Sequence, residues 1–339
     1  MNKLERVCGT IIADIASGRI PPGGKLPTFY ELEKHHDVSR ITINACVKFL
    51  KCKGLLTSRE RGGVFVSEKP SLLNRFAIIF PKAMIAENRF LQTTLNVLRE
   101  ESVKKGVELE IFPDFEPHVD NSDYRKLLSE LNRMRIGGVA YIAMNPLPDD
   151  CELLDFPGIP VINASALFSL DVKTFADKAY DYLLSKKKRR IAVLFLGRYS
   201  MIDRFIDKRR KSNTDSPDHW FIQIGADAKE GAKNIVRLMF DCPKERRPNG
   251  LIITDDNLVE HALGGVFLSG VKVPGELEIV THCNWPNPVA SVIPVKRLGY
   301  DVRELVSITI GSLLKSRGKG GLQVIESVPL VPLFEEELH

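Results

Sequence analysis

Hydrogen-bonding side chains crowd a short stretch near the N-terminus of this chain. Ser39, Arg40 and Thr42 are followed by Asn44, all within six residues. An arginine can donate two hydrogen bonds to guanine, an asparagine can pair with adenine, and hydroxyl groups can bind phosphates or base edges. This combination predicts a surface that reads DNA. The stretch alone also fits an ordinary capped helix whose polar residues face solvent.

The residues that follow predict the helix that would carry these side chains. Ile43, Val47 and Leu50 recur at helical spacing, so one side of the helix would be buried. Ser39 suits the N-cap position and Gly54 suits the position after the last turn. Recognition helices enter the major groove with their N-terminal residues at the base edges, where the four polar side chains would lie.

The neighbouring segments predict the rest of a small DNA-binding domain. A first amphipathic helix over residues 3–17 precedes a capping box, beginning at Thr28, that starts a second helix over residues 28–36. Two extended segments, residues 55–59 and 64–68, enclose a glycine turn with basic residues. This order of elements is that of a winged helix-turn-helix domain. The residues expected to contact DNA are Lys25, Thr28, Tyr30, Ser39, Arg40, Thr42, Asn44, Lys48, Arg59, Arg61, Gly62 and Gly63.

The net charge of +5 is concentrated in the same region. Residues 1–70 hold 12 of the 48 Lys and Arg residues and seven of the 43 Asp and Glu residues, and the remaining 269 residues hold 36 of each. All of the excess positive charge therefore lies in the first fifth of the chain. This asymmetry indicates a polyanion-binding module attached to a neutral body, although a basic, solvated face would give the same balance.

The N-terminal segment resembles the GntR family of bacterial regulators over residues 17–66. The residues that fall where the family pattern expects them are Gly18, Ile20, Pro22, Gly23, Lys25, Leu26, Pro27, Glu31, Leu32, Val38, Ser39, Arg40, Thr42, Gly54, Leu55, Gly63, Phe65 and Val66. The resemblance implies a DNA-binding role. Tyr30 and Asn44 stand where the family usually has arginine, so the preferred operator sequence does not carry over.

From residue 76 onward, short apolar runs alternate with amphipathic stretches. Continuously apolar strands between helices are typical of parallel sheets covered on both faces. The expected strands are residues 76–80, 107–112, 137–144, 160–164, 189–197, 220–225, 250–256 and 277–283. The expected helices are residues 90–106, 123–134, 174–187, 228–240 and 257–270. Two rounds of this alternation predict two doubly wound lobes, with ligand at the carboxyl ends of the strands.

This order of elements resembles the effector domain of the LacI/GalR family, itself similar to periplasmic sugar-binding proteins. The motifs that carry the resemblance are GGVAYIAM, IPVINAS, KKKRRIAVLFLG, PNGLIITDDNLVEHAL and KVPGELEIVTHCNW, in that order. A winged helix joined to such a body resembles regulators of the arabinose-repressor type. The expected fold class is α/β. The expected order is a winged helix-turn-helix domain over residues 1–67 and a linker over residues 68–75. A two-lobed, periplasmic-binding-protein-like body of two doubly wound parallel sheets follows over residues 76–339.

The second resemblance places candidate ligand contacts near the ends of strands. They are Phe90, Arg204, Asp255, Asp256, Asn284 and Trp285. One of the two aspartates would bond ligand hydroxyl groups, Phe90 would stack on a sugar ring, and Arg204 would suit an anionic or hydroxyl-rich ligand. Each has a structural alternative. An aspartate could cap the following helix, Trp285 could belong to the core or an interface, and Arg204 could form a surface ion pair.

These features together predict a sequence-specific transcription regulator, a repressor, controlled by a sugar-like small molecule bound between the lobes. Its expected partners are operator DNA, the effector and a second copy in a homodimer. A body that only oligomerises is the alternative, because Thr281 to Asn284 replace the family's Gly-Phe-Asp-Asp and remove a carboxylate. An enzyme is not expected, since the sequence lacks GxxxxGK[ST], GxSxG and HExxH motifs.

The remaining composition predicts a cytoplasmic protein without a cofactor or metal. The six cysteines show no CxxC spacing, which argues against a zinc site and a disulfide framework and favours reduced thiols. The adjacent His35 and His36 would point to different sides of a helix end, which does not favour a metal site. No apolar run approaches the ~18 residues of a membrane span, and the N-terminus does not resemble a signal peptide.

Overall fold

The computed structural model describes residues 3–59, 62–68, 70, 73–81, 88–142, 147–196, 202–212 and 214–338. Within those segments, no helix is both long enough and apolar enough to cross a membrane. The chain divides into two compact units. Unit 1 comprises residues 1–85, 96–167 and 305–327, and unit 2 comprises residues 86–95, 168–304 and 328–339.

Unit 1 begins with three helices followed by a two-stranded antiparallel hairpin. The elements are α1 (Lys3–Ala16), α2 (Phe29–His36), α3 (Arg40–Cys52), β1 (Leu56–Arg59) and β2 (Gly63–Val66). The apolar stripes of α1 and α3 meet in a common core, where Ile15, Ile43 and Leu50 are fully buried. The predicted winged helix-turn-helix fold is confirmed.

Individual residues set the ends of α2 and α3. Thr28 Oγ1 accepts a hydrogen bond from the Glu31 backbone N–H at 3.3 Å, and the Glu31 carboxylate accepts one from the Thr28 backbone N–H at 2.7 Å. This reciprocal pattern is a capping box. Asp37, in the left-handed conformation, ends α2, and Ser39 begins α3 two residues later. The tight turn between the two helices therefore fixes where the first turn of α3 lies.

The body alternates strands and helices, as the apolar runs predicted. Its helices are α4 (Arg89–Lys104), α5 (Ser122–Asn132), α6 (Val172–Ser185), α7 (Ile202–Ser212), α8 (Gly231–Met239), α9 (Asp256–Ser269) and α10 (Val302–Lys315). Its strands are β3 (Arg75–Pro81), β4 (Glu108–Phe115), β5 (Val139–Tyr141), β6 (Pro160–Asn163), β7 (Phe168–Leu170), β8 (Ile191–Leu196), β9 (Phe221–Ile224), β10 (Gly250–Ile253), β11 (Glu278–Trp285), β12 (Lys296–Asp301), β13 (Gly321–Leu322), β14 (Val328–Leu330) and β15 (Leu333–Phe334). Of the expected linker, Lys69, Ser71 and Leu72 lie outside the described residues, and Arg75 already belongs to β3.

Each unit contains one large sheet. The sheet of unit 1 has the order β13-β6-β5-β3-β4 and is parallel throughout. The sheet of unit 2 has the order β15-β12-β11-β10-β8-β9 and is parallel except at β15. All four residues of β10 are buried, which explains its continuously apolar sequence. The predicted α/β class, with a two-lobed body of parallel sheets, is confirmed.

Within unit 1, α1 packs directly on the body. A Cβ atom added to Gly9 would lie 3.3 Å from Cβ of Pro157, and one added to Gly158 would lie 3.1 Å from Cγ2 of Ile12. Just after α3, Lys53 Nζ donates a hydrogen bond to the Asn132 carbonyl oxygen at 2.6 Å. The body therefore contacts α1 and the C-terminal end of α3, whereas the first turn of α3 stays exposed.

Candidate functional site

Two of the predicted DNA contacts build the first turn of α3. Ser39 Oγ accepts a hydrogen bond from the Thr42 backbone N–H at 3.4 Å, and the two hydroxyl oxygens lie 3.2 Å apart. The cap satisfies one of the N–H groups that a helix leaves free at its start. The other free N–H groups and the positive end of the helix dipole favour a phosphate at this position.

Arg40 is placed beside α2 without being buried. Its side chain is 68% exposed, and its Nε lies 4.0 Å from Oε1 of Glu33. The guanidinium carbon lies 5.8 Å from the centre of the Phe29 ring. An exposed ion pair contributes about 1 kcal/mol or less, so it leaves Arg40 able to turn towards a base. The geometry therefore suits a base-reading arginine supported from the side.

The other exposed side chains of α2 and α3 are mostly polar, and Ile41, Ala45 and Phe49 are apolar exceptions. Tyr30, Asn44 and Lys48 are exposed, as a DNA-contacting surface requires. Ile41, which was not among the predicted contacts, is 80% exposed on the first turn of α3. An apolar side chain at this position suits the methyl group of thymine. The sequence signal for Ile41 was its place outside the buried stripe of α3.

Thr28 has a structural role at the start of α2 that explains why a hydroxyl side chain is found there. Its hydroxyl donates a hydrogen bond to Oε2 of Glu31 at 2.8 Å in addition to capping α2. Hydrogen bonds from the Thr28 backbone and hydroxyl lower the pKa of the Glu31 carboxyl. The side chain is exposed, and its contact with DNA stays a prediction.

The wing gathers further predicted contacts. Arg59 donates a hydrogen bond to Glu68 Oε1 at 2.7 Å, and its guanidinium carbon lies 4.6 Å from the centre of the Phe65 ring. Lys25 pairs with Phe65 in an isolated antiparallel bridge, which places it beside the hairpin. Gly62 lies in the turn of the hairpin, and Arg61 lies outside the described residues. The structure thus brings Lys25 and Arg59 together at one basic edge.

Gly63 lies at a position that only glycine fits well. Its φ is +102°, and a Cβ atom there would lie 3.2 Å from Cε of Lys25. We expect Gly63→Ala to distort the wing at a cost of about 1–3 kcal/mol and to weaken DNA binding several-fold. Fluorescence anisotropy with a labelled duplex measures the affinity. Gly311→Ala in α10 is the matched control, because a Cβ there meets nothing within 4 Å. Equal affinity for both variants would contradict a DNA-contacting wing.

In unit 2, the two aspartates that follow β10 have different surroundings. Asp255 is the N-cap of α9, and its Oδ1 accepts hydrogen bonds from the Asn257 backbone at 2.9 Å and side chain at 2.8 Å. Asp256 is 2% exposed and accepts a hydrogen bond from Asn284 Nδ2 at 2.7 Å. Asp255 therefore fills the capping role, and Asp256 is the buried carboxylate of the pair.

The surroundings of Asp256 make it an unusual carboxyl group. Burial raises its pKa above the ordinary value of 3.8, opposed in part by the nearby His282. His282 Nδ1 lies 3.9 Å from Asp256 Oδ1, beyond hydrogen-bond distance. The buried Nδ1 of His282 has no hydrogen-bond partner among the described residues. Because residues two apart on a strand share a face, His282 and Asn284 both flank Asp256. His282 was not among the ligand contacts predicted from the sequence.

Phe90 connects to the same edge of unit 2 through its neighbour. The Arg89 backbone N–H donates a hydrogen bond to Asn257 Oδ1 at 3.0 Å, and Asn257 in turn bonds Asp255. The Phe90 ring centre lies 6.1 Å from that of Phe168. The starts of α4 and α9 are thus tied together, with an aromatic ring and carboxylates at one edge.

The other two predicted ligand contacts are placed differently. Trp285 is 2% exposed, and its indole Nε1 donates a hydrogen bond to the Leu333 carbonyl oxygen at 3.2 Å. These are the contacts of a core residue, the structural alternative for this position. Arg204 is an exposed residue of α7, and among the described residues no hydrogen bond joins it to Asp255 or Asp256. Ligand contact by either residue stays a prediction.

The arrangement can recognise hydroxyl groups. A carboxylate, an amide and an imidazole at the carboxyl ends of β10 and β11 offer both hydrogen-bond acceptors and donors within a buried setting. The strands are parallel neighbours, so their ends meet at one edge of the sheet. Among the described residues there is no group of three His, Cys, Asp or Glu that could hold a metal ion.

Solved structures of LacI-family regulators share the fold of the body. A LacI-family transcriptional regulator from Lactobacillus casei with bound sucrose is 17% identical, covers 77% of this chain and 98% of its own, and has a TM-score of 0.54. The same regulator with bound glucose gives 17% identity, the same coverage and a TM-score of 0.53. A LacI-family regulatory protein from Chloroflexus aggregans gives 16% identity, 78% and 96% coverage and a TM-score of 0.56. At these identities the likeness shows the fold.

The N-terminal segment has a match of its own. Residues 3–66 match the family described as bacterial regulatory proteins, gntR family. The match spans α1 through β2, the elements that present Arg40 and the wing. The chain is therefore a DNA-binding transcription regulator that joins a GntR-family winged helix-turn-helix domain to a two-lobed body with the fold of LacI-family regulators.

Proposed function

We propose that this regulator is a repressor that releases or binds its operator according to a hydroxyl-rich small molecule, a sugar or sugar derivative. The ligand binds at the edge of unit 2 formed by Asp256, Asn284 and His282, with Phe90 as a stacking surface. The observation that carries the proposal is the buried Asp256 carboxylate, held by Asn284 at 2.7 Å at the carboxyl end of a parallel strand. Ligands of open parallel sheets bind at that end of the strands.

Buried ionisable groups favour a functional explanation here. A carboxylate that is 2% exposed costs free energy unless hydrogen bonds compensate it. Asn284 supplies one hydrogen bond, and a ligand hydroxyl that reaches Oδ1 would supply another. The Lactobacillus casei regulator of the same fold holds sucrose in one structure and glucose in another, which supports the same ligand class for this chain.

The DNA-binding end of the proposal follows from the exposed first turn of α3. We propose that the chain acts in the cytoplasm as a homodimer, so that two winged helices read two half-sites about 34 Å apart or a multiple of that distance. Ligand binding would change operator affinity through a coupling free energy of about 1–3 kcal/mol.

A body that only oligomerises remains the second candidate. It is favoured by the sequence Thr281 to Asn284, which lacks the carboxylate of the family pattern, and by Trp285, whose indole N–H is already bonded to Leu333. Such a body would not respond to any sugar.

A ligand screen of the full chain separates the two candidates. We expect at least one member of a panel of sugars and sugar acids to raise the melting temperature, because a ligand at 100 times its Kd adds about 2.7 kcal/mol to the free energy of unfolding. The same compound should change the anisotropy of a labelled operator complex. Silence across a broad panel would favour the oligomerising body.

A further inference from the structure

Two buried thiols meet in the core of the DNA-binding domain. The sulfur of Cys8, on α1, lies 2.7 Å from the sulfur of Cys46, on α3, and both are free cysteines. A disulfide bond measures about 2.05 Å, so the sulfurs need to approach by only a fraction of an ångström to bond. The packing of α1 on α3 is also what holds the recognition helix in place.

Cys8 is reachable from the surface, whereas Cys46 is not. A cavity of about 420 Å³ in unit 1 is lined by Cys8 together with Phe49, Met134 and Pro157. Cys8 is 6% exposed, and Cys46, on the far side of the sulfur pair, is fully buried. A cavity of this volume admits small organic molecules. A reagent that enters it meets Cys8 first.

The shared hydrogen bond makes the two thiols unequal. Ionised Cys8 accepts a hydrogen bond from Cys46, which lowers the pKa of Cys8 below that of an ordinary thiol despite its burial. The same bond, together with burial, raises the pKa of Cys46. Thiolates are the nucleophiles in cysteine chemistry, so Cys8 is the more reactive of the two.

We propose that Cys8 and Cys46 form a reversible disulfide when a small hydroperoxide enters the cavity, and that the bond fastens the recognition helix to α1. The Cys8 thiolate attacks the terminal peroxide oxygen and the O–O bond breaks. The products are a Cys8 sulfenic acid and, after protonation, an alcohol, or water when the oxidant is hydrogen peroxide. Cys46 sulfur then attacks Cys8 sulfur, and the hydroxyl leaves as water with the Cys46 proton. The two thiols are oxidised and the hydroperoxide is reduced.

The disulfide changes the dynamics of the domain rather than its reading face. It closes a loop between residues 38 positions apart, which restricts the unfolded chain. Arg40 and Ile41 are exposed, whereas the sulfur pair is buried. The bond therefore restrains α3 on its buried side and leaves its exposed side unchanged. Backbone amides of α1 and α3 should therefore exchange hydrogen more slowly after oxidation.

Peptide mapping of the full chain tests the proposal. After a short treatment with hydrogen peroxide, followed by alkylation of free thiols in denaturant, we expect a peptide pair linked through Cys8 and Cys46, two fewer alkylated sites, and full recovery with dithiothreitol. Hydrogen exchange in α1 and α3 should slow in the same sample. If Cys8 and Cys46 are both still found alkylated after the peroxide treatment, while exposed Cys52 is oxidised, the proposal is overturned. Unchanged exchange in a cross-linked sample would overturn the fastening of α3.

Single substitutions assign the order of the two steps. In Cys46→Ser, Cys8 should accumulate as a sulfenic acid that dimedone traps, because the second thiol is missing. In Cys8→Ser, Cys46 should stay unmodified because it is out of reach. Cys52→Ser is the matched control and should form the disulfide like the original chain. Oxidation of Cys46 in the absence of Cys8 would contradict the assigned order, and circular dichroism confirms that each variant is folded.

Discussion

Replacement of Arg40 by alanine is expected to weaken operator binding by about 5-fold to 150-fold, with no change in folding. The magnitude corresponds to the loss of one bidentate contact with a base, about 1–3 kcal/mol. Folding should be unaffected because the side chain is 68% exposed and its ion pair with Glu33 is long. The affinity is measured by anisotropy with a duplex selected from a random pool, and the folding by thermal melting.

The control for this variant removes the same charge elsewhere. Arg125 lies on α5 of the body, is 67% exposed and pairs with Asp120. We expect Arg125→Ala to keep operator affinity within about twofold, since its side chain pairs with Asp120 of the body and long-range charge effects are screened by salt. If Arg40→Ala and Arg125→Ala bind the operator equally well, Arg40 is not a base-reading residue.

Replacement of Asp256 by asparagine is expected to reduce the affinity for the effector by about 10-fold to 150-fold and to leave operator binding intact. The magnitude is that of a hydrogen bond to a buried charged group, about 1.5–3 kcal/mol. Asparagine keeps the size of the side chain and can still accept from Asn284, so the edge of β11 should stay in place. Isothermal calorimetry with a hit from the ligand screen measures the loss.

The buried Asp256 carboxyl group should also make the stability of the fold depend on pH. Its pKa in the folded chain is raised by burial, so the folded state holds this proton more tightly than the unfolded state does. The cost of ionising it is absent below the ordinary pKa of 3.8 and is fully present above the raised pKa. The stability of Asp256→Asn relative to the original chain should therefore rise as the pH increases above 3.8 and through the raised pKa. Urea midpoints at a series of pH values above 3.8 measure it, and a constant difference would contradict the raised pKa.

A second aspartate separates the site effect from a general charge effect. Asp218 also lies in unit 2, and its side chain is 91% exposed in a pair with Arg209. Asp218→Asn should bind the effector like the original chain. Equal losses in both variants would place the ligand away from Asp256.

The sequence predicts most of the fold because its local signals agree with the tertiary structure. The spacing of Ile43, Val47 and Leu50 identifies the buried side of α3, and the polar residues between them identify the exposed side. Continuously apolar runs in the body identify strands such as β8 and β10 because both faces of these strands are covered. Periodicity and burial convey the same information in these elements.

Elements of mixed composition were missed among the strands and helices expected from the sequence. Strand β12 reads KRLGYD, with charged residues at its ends, and helix α7 is dominated by charged residues with Phe205 buried. Their places depend on neighbours distant in sequence. The packing of α1 on the body is also absent from local patterns, because it depends on Gly158 and Gly9 meeting side chains of another segment.

The roles of single residues are harder to predict than the elements that carry them. Asp255 and Asp256 are adjacent and identical in type, yet one caps α9 and the other is buried against Asn284. Trp285 has a type suited to sugar stacking, but the Leu333 carbonyl already uses its indole N–H. Such differences are decided by partners that only the folded structure brings together.

A structure of the full chain bound to a selected operator duplex tests the central claim most directly. We expect the first turn of α3 to lie in the major groove, with the Arg40 guanidinium within hydrogen-bond distance of a base edge and the wing along the adjacent phosphates. A complex in which α3 lies outside the groove, or in which Arg40 contacts only protein, would contradict the account.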